Sequence, residues 1–204
     1  GRKLNNPSLA GADLSTFTLQ NIARIEILQG SAGSLYGDQA SAGVINIITK
    51  AAAHDEANMV VAVGSYSMRS WQGSLAQQLN EQWAYRVDAK LSDSNNYREN
   101  NENRNQIVDA KLRWRVDRGG IDLSLQDVRD DLGFPGQLNE QDYRQRPRHS
   151  ATPHNYGNNS TSAVRLNGDW TLNSHWAFFG DLTQREQDGE GEFFASKFLT
   201  QTEV

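Results

Sequence analysis

Trp83-Ala84-Tyr85-Arg86-Val87-Asp88-Ala89-Lys90-Leu91-Ser92 alternates without a break. In an extended chain, Trp83, Tyr85, Val87, Ala89 and Leu91 share one face. Gln82, Ala84, Arg86, Asp88, Lys90 and Ser92 share the other. The pattern recurs at Val108, Ala110, Leu112, Trp114 and Val116, set against Asp109, Lys111, Arg113 and Arg115. Two architectures use such strands. A β-sandwich packs the apolar face on a second sheet. A membrane β-barrel turns it to lipid and lines a wet lumen with the other.

Composition narrows the field around these strands. Lys plus Arg is 20 and Asp plus Glu is 25, for a net charge of −5. A generally basic nucleic-acid binder is excluded, though a local basic patch is not. With Cys at 0, disulfide scaffolds and Cys-based zinc or iron–sulfur sites are excluded too. Hydrophobic residues make up 37%, below the common range of about 45–50%, which counts Gly. No run approaches the ~20 apolar residues of a membrane helix. A barrel tolerates this dilution because every second residue faces water.

Further segments of roughly ten residues repeat the alternation, the length of a barrel strand. Their apolar faces are Met59, Val61 and Val63; Trp71, Gly73, Leu75 and Leu79; and Ile121, Leu123 and Leu125. Val164, Leu166, Gly168, Trp170 and Leu172 follow, then Trp176, Phe178, Gly180 and Leu182, and an eighth strand begins near Phe193. Sandwich strands are typically shorter, about five or six residues. Trp83 and Trp176 start strands and Trp114 and Trp170 end them, as an aromatic girdle requires. Connections at 80–81, 117–119 and 173–174 are tight, and those at 93–103, 131–158 and 187–191 are longer. Bacterial barrels keep short turns in the periplasm and long loops outside, so the Trp-rich ends are expected at the periplasmic rim. The short connection at 67–69 is the exception, expected on the external side.

Residues 1–50 read differently. Asn5-Asn6-Pro7 is a turn signal. A short helix over 18–22 precedes a strand over 24–28. Gly30, Gly33 and Gly37 punctuate a small-residue loop, and Gly43–Thr49 is a β-branched strand, expected to be central in a small sheet. Gly33 and Gly37 fit GxxxG but lie in no apolar span, and no GxGxxG or phosphate loop is present. Tight turns account for these glycines.

Three blocks of this region carry a resemblance. They are Ile22-Ala23-Arg24-Ile25-Glu26-Ile27-Leu28-Gln29-Gly30, Ser34-Leu35-Tyr36-Gly37 with Ala40, and Gly43-Val44-Ile45-Asn46-Ile47-Ile48-Thr49-Lys50. In order and spacing they resemble the end of the plug domain of TonB-dependent outer-membrane receptors. The family's form is close to I-E-R-I-E-V-L-R-G-P, a stretch ending L/V-Y-G, then G-V-I-N-I-I-T-K/R. Gln29 replaces the family's second arginine and Ser31 its proline. The resemblance implies a mostly β chain: 1–50 as the C-terminal part of a plug, a small α+β sheet, and 51–204 as about eight antiparallel strands of an incomplete transmembrane β-barrel. The whole barrel would have about 22 strands. A signal peptide, a TonB box and the first half of the plug would precede Gly1.

The resemblance also implies roles. Arg24, Glu26 and Gln29 would form a plug–barrel latch, in which plug arginines meet acidic wall residues and Gln29 can only hydrogen-bond. Gly30, Tyr36, Gly37, Gly43 and Asn46 would be motif and turn positions. The expected partners are a TonB-type energy-transducing protein, outer-membrane lipid and lipopolysaccharide, and a metal-chelate ligand such as a ferric siderophore, haem or cobalamin. No cofactor and no nucleic acid are expected.

The residues themselves offer one candidate ligand surface. Tyr143, Arg144, Arg146, Arg148, His149, His154 and Tyr156 lie in a stretch with no acidic residue from 143 to 158. Arginine presents forked donors to carboxylates and phosphates, so the stretch suits an anionic chelate, lipopolysaccharide phosphates, or simply solvent. His149 and His154 are residue types that ligate metals, but loop histidines are more commonly just exposed. Asn5, Asn6 and Ser8 sit in a turn that would suit a plug apex. The inward charges Arg86, Asp88, Lys90, Asp109, Lys111, Arg113 and Arg115 are expected to pair across strands. No HExxH, GxSxG or cysteine nucleophile occurs, so an enzyme is not expected. A signalling or adhesion receptor on the same scaffold, and a secreted β-sandwich binding or hydrolase domain, remain the alternatives.

Overall fold

A computed structural model of the protein describes residues 14–33, 40, 42–193 and 196–203. The predicted turn at Asn5, Asn6 and Ser8, and the motif residues Tyr36 and Gly37, lie outside the described residues. Strands β1 (Ile22–Gln29) and β2 (Gly43–Thr49) form an antiparallel pair, with Ile27 opposite Ile45 and Gln29 opposite Gly43. Two 3-10 turns, Leu14–Thr16 and Leu19–Asn21, lead into it in place of the predicted helix. The second closes when the Asn21 amide donates to the Thr18 carbonyl at 3.0 Å, and β-branched Ile22 then extends the chain. Among the described residues β2 has β1 as its one strand partner, so the central position predicted for it is not seen there. Gly43 has φ +154, and a Cβ there would lie 2.5 Å from the Leu28 carbonyl oxygen. No side chain fits at that approach.

Eight strands follow in one antiparallel sheet whose spatial order is the chain order. They are β3 (Glu56–Val63), β4 (Arg69–Gln78), β5 (Trp83–Ser94), β6 (Asn103–Val116), β7 (Gly119–Gly133), β8 (Tyr156–Thr171), β9 (Ala177–Phe193) and β10 (Ser196–Glu203). Short connections suffice because antiparallel neighbours need only hairpins. β3 and β10 are the two edges, so the barrel is not closed in this chain.

The two faces of this sheet reverse the usual order of a soluble protein. Trp71, Leu75, Val87, Leu91, Val108, Leu112, Leu125, Val164 and Leu182 are all exposed on the outer face. Ser74, Arg86, Asp88, Asn105, Asp109 and Asp130 are buried on the inner one. Among the described residues no second sheet covers the apolar face, which sets the sandwich aside; lipid is the solvent this surface fits. At one rim Trp83 pairs with Trp114 in register, their rings 6.4 Å apart, and Trp114 stacks on Trp170, also at 6.4 Å. The turns at this rim share one device. Asn80 Oδ1 accepts from the Gln82 and Trp83 amides, and Asn173 Oδ1 from the His175 and Trp176 amides.

One predicted connection is a strand. Residues 187–191, rich in Gly and acid, lie within β9, and Gly189 is paired with Asn159 on one side and Thr200 on the other. Backbone pairing with two neighbours overrides a local composition that favours turns. β7 and β8 also run further than predicted, leaving 134–155 as the long loop, with a short helix α1 (Glu140–Gln145) inside it.

Candidate functional site

The first candidate site is where the inner wall meets β1 and β2. Cross-strand register places Arg86 opposite Lys111 and Asp88 opposite Asp109. Like charges face like, which is unfavourable unless other partners are supplied. Lys111 finds them in the small sheet. Its Nζ donates to Thr49 Oγ1 at 2.7 Å, to the Lys50 carbonyl at 2.7 Å and to Asn21 Oδ1 at 3.3 Å. An ammonium has three protons, and all three are used. Gln126 Nε2 bridges Asp109 Oδ1 at 2.8 Å and the Thr16 carbonyl at 3.2 Å.

A chain of charges runs alongside. Lys50 Nζ meets Glu56 Oε1 at 3.0 Å, Arg86 Nη1 meets Glu56 Oε2 at 2.8 Å, and Arg86 forks onto both Asp88 oxygens at 2.7 and 2.8 Å. Arg86 and Asp88 are each 1% exposed. A buried pair of this kind is tolerable only when its donors and acceptors are nearly all engaged. The predicted cross-strand pairing is met here in part: Arg86 reaches Glu56 two strands away on β3 and Asp109 takes its register partner Gln126, while the Arg86 fork onto Asp88 runs along β5 and Lys111 turns to the small sheet. It does hold at Arg113 and Asp122, which are register partners 2.9 Å apart, with Arg115 on the same carboxylate at 2.6 Å.

The predicted latch residues lie on β1. Arg24 Nε donates to Glu26 Oε1 at 2.8 Å, and Asn46 Nδ2 to Glu26 Oε2 at 3.0 Å. The Arg24 hydrogen bond, helped by Asn46, holds the Glu26 carboxyl below the usual carboxylate range. Gln29 is exposed at the end of β1, opposite Gly43. Gly30 turns the chain with φ +97, a left-handed conformation that favours glycine. The wall groups that reach the small sheet, Lys111 and Gln126, carried no signal beyond inward polarity, because only the register shows Lys111 between Arg86 and Ser124.

The second candidate site is the loop cluster at the opposite rim from the tryptophans. Arg98 holds the long loop by its backbone, donating to the carbonyls of Gly136 at 2.6 Å, Pro135 at 3.0 Å and His149 at 2.8 Å. Asn100 Nδ2 reaches the carbonyls of Thr152 and Asn155 at 2.7 and 2.9 Å. The Arg148 guanidinium lies 5.9 Å from the ring centres of both Tyr66 and Tyr97, within cation–π range. Those rings meet edge to face at 5.8 Å.

Arg144, Arg146 and His149 of this loop are drawn into ion pairs. Arg144 meets Glu140 at 2.6 Å on α1, and Arg146, just past its end, meets Asp142 at 2.5 Å. His149 Nδ1 lies 3.6 Å from Glu99 Oε2. The Arg146 hydrogen bond pulls the Asp142 carboxyl below its ordinary range. His154 is exposed. Tyr143 is 69% exposed and lines an open depression with Tyr97, Arg98, Leu138 and Pro147. Tyr156 belongs to β8, opposite Gly133. Arg98, Asn100, Tyr66 and Tyr97 were not singled out in the sequence, since each gains its role from a loop distant along the chain. Among the described residues no group of three or more His, Asp or Glu side chains is arranged to hold a metal ion.

Comparisons with known proteins bear on both sites. Residues 1–44 match the family model of the TonB-dependent receptor plug domain. A 49-residue stretch is 45% identical to the vitamin B12 transporter BtuB of Photobacterium profundum, covering 24% of this chain and 8% of that protein. The fold is similar to the unliganded ferric citrate transporter FecA, with TM-score 0.74 and 18% identity over 98% of this chain and 31% of that one. It is also similar to the ferric-catecholate import receptor Fiu of E. coli K12, with TM-score 0.70 and 14% identity over 90% of this chain and 34% of that one. At these identities the structural likeness concerns the fold alone, and the chain spans about a third of those receptors.

Proposed function

Since the chain belongs to the TonB-dependent outer-membrane receptor family, we propose that its parent protein actively takes up a metal chelate across the bacterial outer membrane. The cargo class is a ferric siderophore, haem or cobalamin. The observation that carries this reading is the pairing of a lipid-suited outer wall with an inner wall that grips a plug segment through Lys111 and Gln126. A wall that served only as an anchor would need no such inner grip. Cargo binds at the external loop cluster, where Tyr143 lines the depression with Arg98, Tyr97, Leu138 and Pro147 and Arg144, Arg146, Arg148 and His149 belong to the same loop. Arg24, Glu26 and Gln29 tune how firmly the plug is held. A TonB-type partner pulls on the plug, and the loops meet lipopolysaccharide. No covalent bond of the cargo need change.

The test is uptake. Source cells lacking the protein are expected to lose energy-dependent uptake of one chelate from a labelled panel, and collapsing the proton gradient in wild-type cells is expected to have the same effect. Unchanged uptake of every chelate in the deletion strain would sink the proposal.

A further inference from the structure

The inner wall carries a second polar feature, above the plug contact and apart from the loop cluster. Strand register aligns Ser70 with Ser92, Ser92 with Asn105, Asn105 with Asp130, and Asp130 with Asn159. Asn159 then aligns with Gly189, and Gly189 with Thr200. One transverse row thus crosses seven adjacent strands of the inner face, with a short hydrogen-bonding side chain on six of them and Gly189 on the seventh. It includes one ionisable group, Asp130, and an oxygen of that carboxylate is taken by Asn105 Nδ2 at 2.6 Å.

Three observations give the row the character of a site. Asn105 is 4% exposed, lines a recess with Lys90, Ser92 and Asn159, and has an Oδ1 with no hydrogen-bond partner. A buried carbonyl oxygen left unpaired is costly, and a donor in the recess would relieve it. Further along, Gly189 is kept clear for its neighbours. A Cβ there would lie 2.7 Å from Thr200 Oγ1 and 2.9 Å from Asn159 Oδ1. One step above the row sits an aromatic shelf. Phe198 lies over Gly191 and Phe134 over Gly157, and Phe193 links them with ring centres 6.0 and 4.8 Å away.

We infer that this row is a lumen-wall subsite for cargo bearing uncharged hydrogen-bond donors, hydroxyl or amide N–H groups, on a flat body that stacks against the phenylalanine shelf. The inference rests on the uptake reading and narrows its cargo. Carboxylate-rich chelates are disfavoured at Asn105, because its free Oδ1 is an acceptor and would meet another acceptor there; Lys90 is the cation in the recess lining. The external loop agrees, since Glu140 and Asp142 already occupy Arg144 and Arg146.

Binding to the purified full-length receptor tests this with four probes. Vitamin B12 and a neutral ferric trihydroxamate are uncharged; ferric citrate and a ferric tris-catecholate are anionic. The wild type is expected to bind an uncharged probe. Asn105→Leu and Asn159→Leu are each expected to weaken it about tenfold, the usual cost of one lost, desolvated hydrogen bond. Asn159 is exposed, so its substitution leaves folding intact if Asn105→Leu does not. Asp127→Asn, on the outer face, is expected to bind as wild type. Binding confined to the anionic probes, or uncharged-probe affinity unchanged in both wall variants, overturns the subsite and leaves the uptake reading standing. Binding to none of the four likewise overturns the subsite, while the uptake reading stands or falls on the uptake panel.

Discussion

Lys111 shows how a single side chain acquires a role from its surroundings. It stands on a wall strand, opposite a like charge, with its three protons spent on Asn21, Thr49 and Lys50. Lys111→Met keeps the length of the side chain and removes every one of those bonds. The expected cost is about 1–3 kcal/mol at the plug contact, the penalty for stranding buried acceptors. Amide exchange at Thr49 and Lys50 in the full receptor is expected to quicken by tenfold or more; unchanged protection would show that the lysine is incidental. Gly43 is the second residue-scale test. With its φ of +154 and the Leu28 oxygen in the way, Gly43→Ala is expected to destabilise the β1–β2 pair by roughly 1–3 kcal/mol. Chemical denaturation of the wild type and variant checks this.

At the scale of elements, the tryptophan rim and helix α1 make separate claims. Trp83, Trp114 and Trp170 form one contiguous cluster at strand ends, where an amphipathic indole sits best between lipid and water. In vesicles of the native protein, lipids brominated near the headgroup are expected to quench these tryptophans more than lipids brominated at the chain ends. The reverse order would place the rim at the wrong depth. Helix α1 is only six residues long, so its caps matter. Asn139 Oδ1 accepts from the Asp142 amide at 2.8 Å, and Arg146 pairs with the Asp142 carboxylate. Because folding lowers the Asp142 pKa, its contribution is full above the unfolded value of about 4 and fades as pH falls through the lower folded value. Loop amides 140–146 are therefore expected to lose exchange protection only in strongly acid solution, and Asp142→Asn is expected to abolish that pH dependence.

At the scale of the molecule, two features dominate. The apolar outside and polar inside require lipid around the wall and a filled lumen. β3 and β10 also present unpaired edges, which template aggregation unless a further strand covers them. The 204-residue chain produced alone is thus expected to need detergent and to associate, whereas the parent receptor is expected to run as a closed, heat-modifiable barrel. A soluble, monomeric 204-residue product would contradict the architecture.

Read alone, the residues decide what is local and periodic. Alternation at 83–92 and 108–116 places Arg86, Asp88, Asp109 and Lys111 on one face, because side chains along a strand alternate with period two whatever the strand pairs with. The placement of Trp83 and Trp114 is legible for the same reason, and the blocks at 22–50 are legible through their resemblance to the end of the plug domain. Pairing partners are not, because they depend on which residues come opposite one another. Arg86 does meet an acid across the sheet, Glu56 on β3, but register sets it against Lys111 on β6, and the acid it forks onto, Asp88, lies two residues along its own strand. Residues 187–191 carry turn composition but become strand once β8 and β10 supply hydrogen bonds on both sides. Arg144 and Arg146 look unpaired in the acid-free stretch 143–158 because their partners Glu140 and Asp142 lie just before it, and the partner of His149, Glu99, lies in another loop. The row from Ser70 to Thr200 is invisible in sequence, since its members are scattered over most of the wall. Hydrogen-bonded register alone lines them up, and that is a property of the tertiary structure.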